Sequence, residues 1–378
     1  MNHSASIRRF LFLAAASLVA LMCFAFSQGT LTPPGAPAPT MKTLQQIEPR
    51  IDLATVAGDA DYHHVIAQAG SYYLTGNLVV SKTHGILIGR AGVTLDLNGF
   101  QIVRSSGTGG NAITVSSLAH RCTVKNGTIG EAATPSFGYG VQGVNTPSTP
   151  RGGTLLQLAV FGCSITGLRA GIGWEITGCE VHDNADGISS PGGSTITRCT
   201  ASTNSGRGIS VSSSTIHDCT AYDNGGDGIA GLFGSTITGC TARLNGDDGI
   251  VSQESSTIIG CTAFQNTGDG IEFDDSCFVQ GNNCSRNGSN GDGAGIHSTG
   301  TGNRIEGNLV YQNDRGIDAD VGQSLIIKNS ATGNVINYAL AANNKVGVIV
   351  IAPNSALING NTGGAGVGST DPWANFSY

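Results

Sequence analysis

Three ionisable residues occupy equivalent positions of a repeated segment and could carry out acid–base chemistry together. Glu272, His297 and Asp318 each lie two residues after the Gly of a Gly-Ile pair. If the repeats stack and the strands alternate, these side chains point outward, are exposed, and form a carboxylate–imidazole–carboxylate row on neighbouring strands, about one strand spacing apart. Such a row could abstract or donate a proton. Glu272, His297 and Asp318 are therefore the candidate catalytic residues.

The same surface could instead bind a cation. Asp269 precedes the Gly-Ile pair that leads to Glu272, and carboxylate oxygens are the preferred ligands of calcium. The candidate metal ligands are Asp269, Glu272 and Asp318, with Ca²⁺ as the cofactor that they would hold; otherwise no cofactor is predicted. Polar residues are also common on exposed solenoid faces, so Asp227, Asp248 and Asp269 can equally be interpreted as solvated turn residues.

The positions of these residues follow from an internal repeat. A segment that reads Ile-x-x-Cys-x-Val/Ala-x-x-Asn, a short gap and then Gly-Ile occurs eight times between residues 174 and 334. A period of 20 or 21 residues, with one longer repeat, leaves no room for a helix and is typical of one coil of a β-solenoid. The repeated asparagines are Asn184, Asn204, Asn224, Asn245, Asn266, Asn287, Asn313 and Asn334.

Each coil is predicted to contain three short strands. In residues 235–264 apolar side chains alternate with polar ones, and Gly, Asn, Asp and Ser separate the runs. Successive coils then stack equivalent residues into columns. We expect a buried Ile column and an Asn column that adopts the left-handed bend, with the Gly of the Gly-Ile pair supplying positive φ. A Cys column is expected to be buried and reduced, and comprises Cys179, Cys199, Cys219, Cys240 and Cys261.

The Asn column, the Gly-Ile step and the coil length resemble those of right-handed parallel β-helix proteins of the pectin-lyase-like superfamily. The resemblance covers about three quarters of the chain and implies an all-β, right-handed parallel β-helix. The resemblance also implies that the protein is of the exported bacterial type. Because the fold hosts lyases, hydrolases, epimerases and adhesins, the resemblance does not select an activity. No paired-Asp motif followed by Gly-His-Gly, as in polygalacturonase-like hydrolases, and no Asp-Pro-His-Asp, as in alginate epimerase-like proteins, is present.

The chain is divided into four predicted parts. Residues 1–27 combine Arg8 and Arg9 with an apolar run and a small-x-small site, which is typical of a secretory signal peptide. Residues 28–45 are a Pro-rich linker, residues 46–362 are the β-helix with an N-terminal cap, and residues 363–378 are a C-terminal tail or cap. We expect residues 41–53 to form a short helix that caps the N-terminal end of the β-helix.

The amino-acid composition argues against some classes of binding partner. Only 12% of residues are charged and the formal net charge is −7, which argues against nucleic acid and anionic membranes. No transmembrane span is expected after signal cleavage, so the mature protein is predicted to be periplasmic, cell-surface or extracellular. A polysaccharide or cell-envelope glycan is the predicted partner.

Two hypotheses remain open on the sequence alone. The first is a non-catalytic, glycan-interacting or structural β-helix of the cell envelope or extracellular space. The second is a carbohydrate-active enzyme, a polysaccharide lyase or glycoside hydrolase, with a groove along the face of Glu272, His297 and Asp318.

Overall fold

The repeat winds into a parallel β-solenoid. The computed structural model describes residues 50–131, 136–143, 151–288, 291, 293–351 and 371–378. All pairings between its strands are parallel, and they form a 26-stranded first sheet and a 13-stranded second sheet. Each coil between residues 175 and 340 contributes two strands to the first sheet and one to the second, as the three-strand coil predicted. Among these residues, the one helical element is a 3₁₀ turn at Leu53–Thr55.

The strands have the following bounds. The N-terminal coils contain β1 (Arg50–Asp52), β2 (Tyr62–Ile66), β3 (Gly70–Tyr73), β4 (Leu78–Val80), β5 (His84–Ile88), β6 (Val93–Asp96), β7 (Gln101–Arg104), β8 (Asn111–Val115), β9 (Thr123–Ile129), β10 (Tyr139–Gly143), β11 (Thr154–Phe161) and β12 (Thr166–Arg169). The regular coils contain β13 (Glu175–Thr177), β14 (Glu180–His182), β15 (Asp186–Ser190), β16 (Thr195–Thr197), β17 (Thr200–Ser202), β18 (Ile209–Ser212), β19 (Thr215–His217), β20 (Thr220–Tyr222), β21 (Ile229–Leu232), β22 (Thr236–Thr238), β23 (Thr241–Arg243), β24 (Ile250–Ser252), β25 (Thr257–Ile259), β26 (Thr262–Phe264), β27 (Ile271–Phe273), β28 (Phe278–Gln280), β29 (Asn283–Ser285), β30 (Ala294–Ser298), β31 (Arg304–Glu306), β32 (Leu309–Tyr311) and β33 (Arg315–Ala319). The last strands are β34 (Leu325–Ile327), β35 (Ser330–Thr332), β36 (Ile336–Leu340), β37 (Lys345–Val346), β38 (Ile349–Ile351) and β39 (Asn375–Ser377).

The coil of β22, β23 and β24 shows how the repeat builds the core. Ile237, Ala242 and Ile250 are fully buried, one from each strand. Their partners on the next coil are Ile258, Ala263 and Ile271, so identical side chains pack in register. β-Branched and small side chains fit a pleated, closely spaced interior, so these columns pack closely in the core.

The Asn column forms a hydrogen-bonded ladder at one corner. The side-chain amide of Asn245 donates to Oδ1 of Asn266 on the next coil at 2.9 Å and to the carbonyl of Ala221 at 3.3 Å. The backbone N–H of Asn245 donates to the same Oδ1 at 3.1 Å. The expectation that Asn itself takes the left-handed bend was wrong, because the residue before it does so: Leu244 has φ 56°.

The Gly of the Gly-Ile pair has a different role from the one expected. Gly249 is absent from the residues with positive φ. A Cβ atom at this position would lie 2.5 Å from Nδ2 of Asn266 and 2.6 Å from the carbonyl oxygen of Gly270. Glycine is therefore required because the next coil approaches its Cα closely, and the Asn column and the Gly column depend on each other.

The Cys column lies at a second corner and is buried, as expected. Cys219 Sγ contacts the carbonyl oxygens of Ile196 at 3.5 Å and His217 at 3.4 Å. The nine cysteines from Cys122 to Cys284 are free thiols, including Cys277 and Cys284 outside this column. Asn282 continues the column after Cys261, and its Oδ1 accepts the backbone N–H of Cys261 at 2.8 Å.

At the N-terminal end, the predicted helix over residues 41–53 is wrong in its described part. Arg50–Asp52 is β1, which pairs with β3 because it already belongs to the first coil. The predicted signal peptide and linker, and the predicted tail up to residue 370, lie outside the described residues. At the C-terminal end β39 pairs with β35 and β38. No helix in the described part of the chain has the length and hydropathy needed to cross a membrane.

Candidate functional site

The predicted row of ionisable residues lies on the outer face of the second sheet. Glu272 on β27 pairs with His297 on β30, and His297 pairs with Asp318 on β33. The neighbours of these residues along each strand point into the core; Ile271, Ile296 and Ile317 are fully buried. Alternation therefore directs the three ionisable side chains outward, as the period of the repeat predicted.

His297 is held between carboxylates of two neighbouring coils. Its Nδ1 lies 2.7 Å from Oδ2 of Asp269 and 3.6 Å from Oε2 of Glu272. Its Nε2 lies 3.2 Å from Oδ2 of Asp320. Only 17% of the imidazole is exposed, so the expectation of an exposed ladder residue was wrong. We refer to Asp269, Glu272, His297, Asp318 and Asp320 as the His297 cluster.

The surrounding carboxylates decide the charge of His297. Burial alone would lower the pKa of the imidazole. The hydrogen bond to Asp269, its negative charge and the contact with Asp320 outweigh burial and raise the pKa to about 9. At neutral pH His297 is therefore an imidazolium that donates to a carboxylate from each nitrogen, and it stabilises the negative charges around it.

Asp227, Asp248 and Asp269 form a column at the turn that precedes the second sheet. Asp227 and Asp269 are buried, so their interpretation as solvated turn residues was wrong. The backbone explains their burial, since Asp248 Oδ1 accepts the N–H of Asp269 at 2.7 Å and Asp269 Oδ1 accepts the N–H of Ala294. Asp227 also pairs with Arg207 at 2.8 Å. The column fixes the carboxylate that holds His297.

The carboxyl groups of Asp248 and Glu272 bind protons more tightly than usual. Burial raises the pKa of Asp248 to about 7, and the charges of Asp269, Glu272 and Asp247 act in the same direction. Burial and the charge of Asp269 also raise the pKa of Glu272, against the opposing effect of His297. Glu272 is about one third exposed. It is therefore a carboxyl group that solvent can reach and whose pKa lies above its ordinary value.

Asp318 differs from the other two members of the row. It is buried, not exposed as expected, because Arg315 on the same strand lies over it with Nη1 2.7 Å from Oδ2. This pairing gives Asp318 a positioning role toward Arg315 and His297 and leaves its carboxylate little access to a ligand.

The carboxylates proposed as calcium ligands do not form one group. Asp269, Glu272 and His297 offer ligand atoms within 4.8 Å of one another, and so do His297, Asp318 and Asp320. The imidazolium of His297 stands between the two groups and already supplies the positive charge. A third group, Asp227, Asp247 and Asp248, consists of carboxylates alone. Asp247 was missed by sequence reasoning, although its position next to Asp248 was a signal.

Comparison with known proteins agrees with this architecture. Residues 162–310 match the family model described as "Right handed beta helix region". The fold is a right-handed parallel β-helix. No curated protein is significantly similar to the chain in sequence.

Solved structures share the β-helix at low sequence identity. The A-module of Azotobacter vinelandii mannuronan C-5 epimerase AlgE6 superposes with a TM-score of 0.62 and 18% identity, covering 74% of this chain and 89% of that one. The AlgE4 A-module gives 0.61 and 18%, covering 73% and 90%. ORF18 of Geobacillus virus E2 gives 0.51 and 14%, covering 67% and 60%. At these identities the likeness establishes the fold and not the activity.

Proposed function

We propose that this protein is an exported, glycan-interacting β-helix protein and that the His297 cluster is its glycan contact surface. The observation that carries the proposal is the convergence of ionisable side chains from successive coils on one outer face. Glu272 and Asp320 remain about 34% and 55% exposed there, held around His297. Carboxylates accept hydrogen bonds from sugar hydroxyls, and contacts with His297 hold these two carboxylates in place in advance.

The charge of this surface selects the kind of glycan. Its carboxylates outnumber the positive charges of His297 and Arg315, so a neutral or amino-sugar glycan suits it better than a uronate. A polyuronate would need a bridging cation, and the group of Asp227, Asp247 and Asp248 is the place for Ca²⁺. Export is supported by the signal-peptide pattern of residues 1–27. The AlgE6 and AlgE4 A-modules, which share this fold, belong to proteins named mannuronan C-5 epimerases.

A second candidate is a carbohydrate-active enzyme, favoured by the raised pKa of Glu272. A protonated Glu272 could give its proton to the leaving glycosidic oxygen, while Asp320, on the other side of His297, could activate water. His297 would act by stabilising charge, since both of its nitrogens are already engaged. This candidate predicts turnover that falls as Glu272 loses its proton.

The experiment is a glycan screen of the purified mature protein. Neutral glycans, alginate and pectin are offered with and without calcium, and binding and product formation are both measured. Glu272→Gln and Asp320→Asn should weaken binding about tenfold or more. Glu175→Gln, an exposed carboxyl on β13 of the first sheet, is the matched control and should bind as the wild type does.

The outcomes separate the candidates. Binding without products, lost in both cluster variants, supports the glycan-contact role. Products that disappear in Glu272→Gln support the enzyme. If both cluster variants still bind the glycan as the wild type does, the His297 cluster is not the glycan contact surface.

A further inference from the structure

A column of large side chains runs along the outer face of the first sheet, on the second strand of each coil. Strand pairing places these residues in register from β11 to β32. Aromatic residues make up only 6% of the chain, yet this column takes four of them. Its members are Phe161, His182, Ser202, Tyr222, Arg243, Phe264, Ser285 and Tyr311.

The column is interrupted by serine at Ser202 and Ser285, and Ser202 lies between two pairs of stacked groups. On one side the rings of Phe161 and His182 are stacked, with centroids 5.1 Å apart and planes inclined by 7°. On the other side the guanidinium of Arg243 covers one face of the Tyr222 ring at 4.6 Å. Each outer face is thus occupied, and the inner faces of His182 and Tyr222 are separated by the small side chain of Ser202.

The width of this interruption fits one ring. His182 and Tyr222 are two strands apart, which corresponds to about 9.6 Å. A ring in van der Waals contact with both walls requires about 7–8 Å between them, plus the pucker of a non-planar ring. A cavity of about 350 Å³ occupies the space, within the usual range for small-ligand sites. We refer to this cavity as the His182–Tyr222 slot.

Hydrogen-bonding groups line the base and rim of the slot. Thr200, Ser202 and Thr203 present hydroxyl groups, and Glu180 presents a carboxylate. The His182 ring is fixed from behind by Phe161 and by Asp183, whose Oδ2 lies 2.7 Å from Nδ1. A second cavity of about 400 Å³ shares Glu180 and continues over Gln157 and Gly127. Glu180 therefore lies between the slot and a neighbouring cavity.

We propose that the His182–Tyr222 slot binds one pyranose ring of a neutral glycan, with the adjoining sugar units in the second cavity. The two C–H faces of a pyranose suit stacking on aromatic rings, and its hydroxyl edge matches Thr200, Thr203 and Glu180. The carboxylate of Glu180 disfavours uronates. This site lies on the first sheet and does not depend on the proposed role of the His297 cluster.

The test is calorimetric titration of the wild-type protein with neutral β-1,4-linked hexasaccharides of glucose, mannose and N-acetylglucosamine, and with a mannuronate hexamer. Tyr222→Ala removes one wall and should weaken binding about tenfold. Tyr222→Phe keeps the ring and should bind as the wild type does. Ser202→Phe fills the slot with a ring and should abolish binding. Tyr311→Ala removes an exposed aromatic of the same column four coils away and is the matched control.

Each result decides the proposal. A neutral hexasaccharide that binds the wild type, Tyr222→Phe and Tyr311→Ala, but not Ser202→Phe, supports it. Binding that survives Ser202→Phe, binding of mannuronate alone, or no binding by the wild type would overturn it. Binding that is lost in Glu272→Gln and survives Ser202→Phe would assign the neutral glycan to the His297 cluster and not to the slot, so failure of the slot and failure of the His297 cluster give different results. Melting temperatures of all variants confirm that they are folded.

Discussion

His297 takes its charge from residues that are distant in sequence and adjacent in the solenoid. Asp269 comes from the preceding coil and Asp320 from the following one, and together they hold a proton on a largely buried imidazole. An isolated histidine on an exposed face would titrate near its ordinary pKa. The stacking of coils, and not the local sequence, thus produces the imidazolium.

The charge of His297 makes folding stability depend on alkaline pH. The folded-state pKa of about 9 lies above the ordinary value of 6.5, so the stabilisation is fully present below pH 6.5 and is lost as pH rises through 9. Between pH 7 and 10 the free energy of unfolding should fall by on the order of 2–3 kcal/mol. Urea unfolding of wild type and His297→Gln measures this, and the variant should lack that part of the decrease.

Two comparisons test whether the pH dependence of stability comes from His297. The raised pKa values of Asp248 and Glu272 also lower the free energy of unfolding as pH rises, through about 7 for Asp248. Both carboxyl groups remain in His297→Gln, so the difference between the variant and the wild type reports on His297. His217→Gln removes a half-exposed imidazole beside Asp218 and should leave the wild-type pH dependence intact. An equal pH dependence in His297→Gln and wild type would contradict the assignment.

Sequence reasoning predicted the row and not its electrostatics. A strict period with two-residue alternation is enough to put Glu272, His297 and Asp318 on one face in register. The burial of Asp318 depends on how the Arg315 side chain folds back over it, which alternation does not specify. The contact between His297 and Asp269 joins residues of two different columns. The period of the repeat predicts only which residues stack within one column.

At the scale of the coil, the residues at the corners tell more about how the sequence specifies the fold than the residues of the strands do. The left-handed residue precedes Asn at one corner, and the following Gly makes room for the next coil's Asn amide. Sequence reasoning found both columns but assigned positive φ to each of them, because Asn and Gly are each common at positive φ. At the other corner Cys and Asn occupy the same position, which shows that the corner accepts either a buried thiol or an amide ladder.

This equivalence predicts that Cys261→Asn is tolerated. The new Nδ2 would reach the carbonyl of Ile237, which Cys261 Sγ now contacts at 3.7 Å, and Oδ1 of Asn282. Its own Oδ1 would accept the backbone N–H of Cys240, as Asn282 does for Cys261. Because every polar group of the amide finds a partner, we expect the free energy of unfolding to stay within about 1 kcal/mol of the wild type.

The control at this corner is Cys261→Leu. It places a larger apolar side chain where no space remains, and overpacking should cost about 1–3 kcal/mol. Denaturant unfolding of both variants provides the measurement. If Cys261→Asn were as destabilising as Cys261→Leu, the corner would require a thiol and the equivalence of the two ladders would be wrong.

At the scale of the whole β-helix, each coil is stabilised by its neighbours. In the described part of the chain, β39 pairs with β35 and β38 and covers the last coil. Asn375 is fully buried and its Oδ1 accepts the backbone N–H of Asn329 at 2.9 Å, so it continues the second corner ladder across a gap of 46 residues. The hydroxyl of Tyr338 donates to the carbonyl of Phe376 at 2.9 Å and ties the second sheet to this closing strand.

Removing residues 371–378 should therefore open the C-terminal end. The deletion exposes the pairing edges of β35 and β38, and exposed parallel edges recruit other chains. We expect a lower melting temperature and concentration-dependent association in light scattering. Asn375→Ala removes only the ladder contact and should cost about 1–3 kcal/mol without association, because β39 still covers the edge. Tyr378→Ala, at a side chain that is 58% exposed, should change the unfolding free energy by less than about 0.5 kcal/mol. A deletion variant that stays monomeric and melts with the wild type would show that the coils before β39 close the end without it.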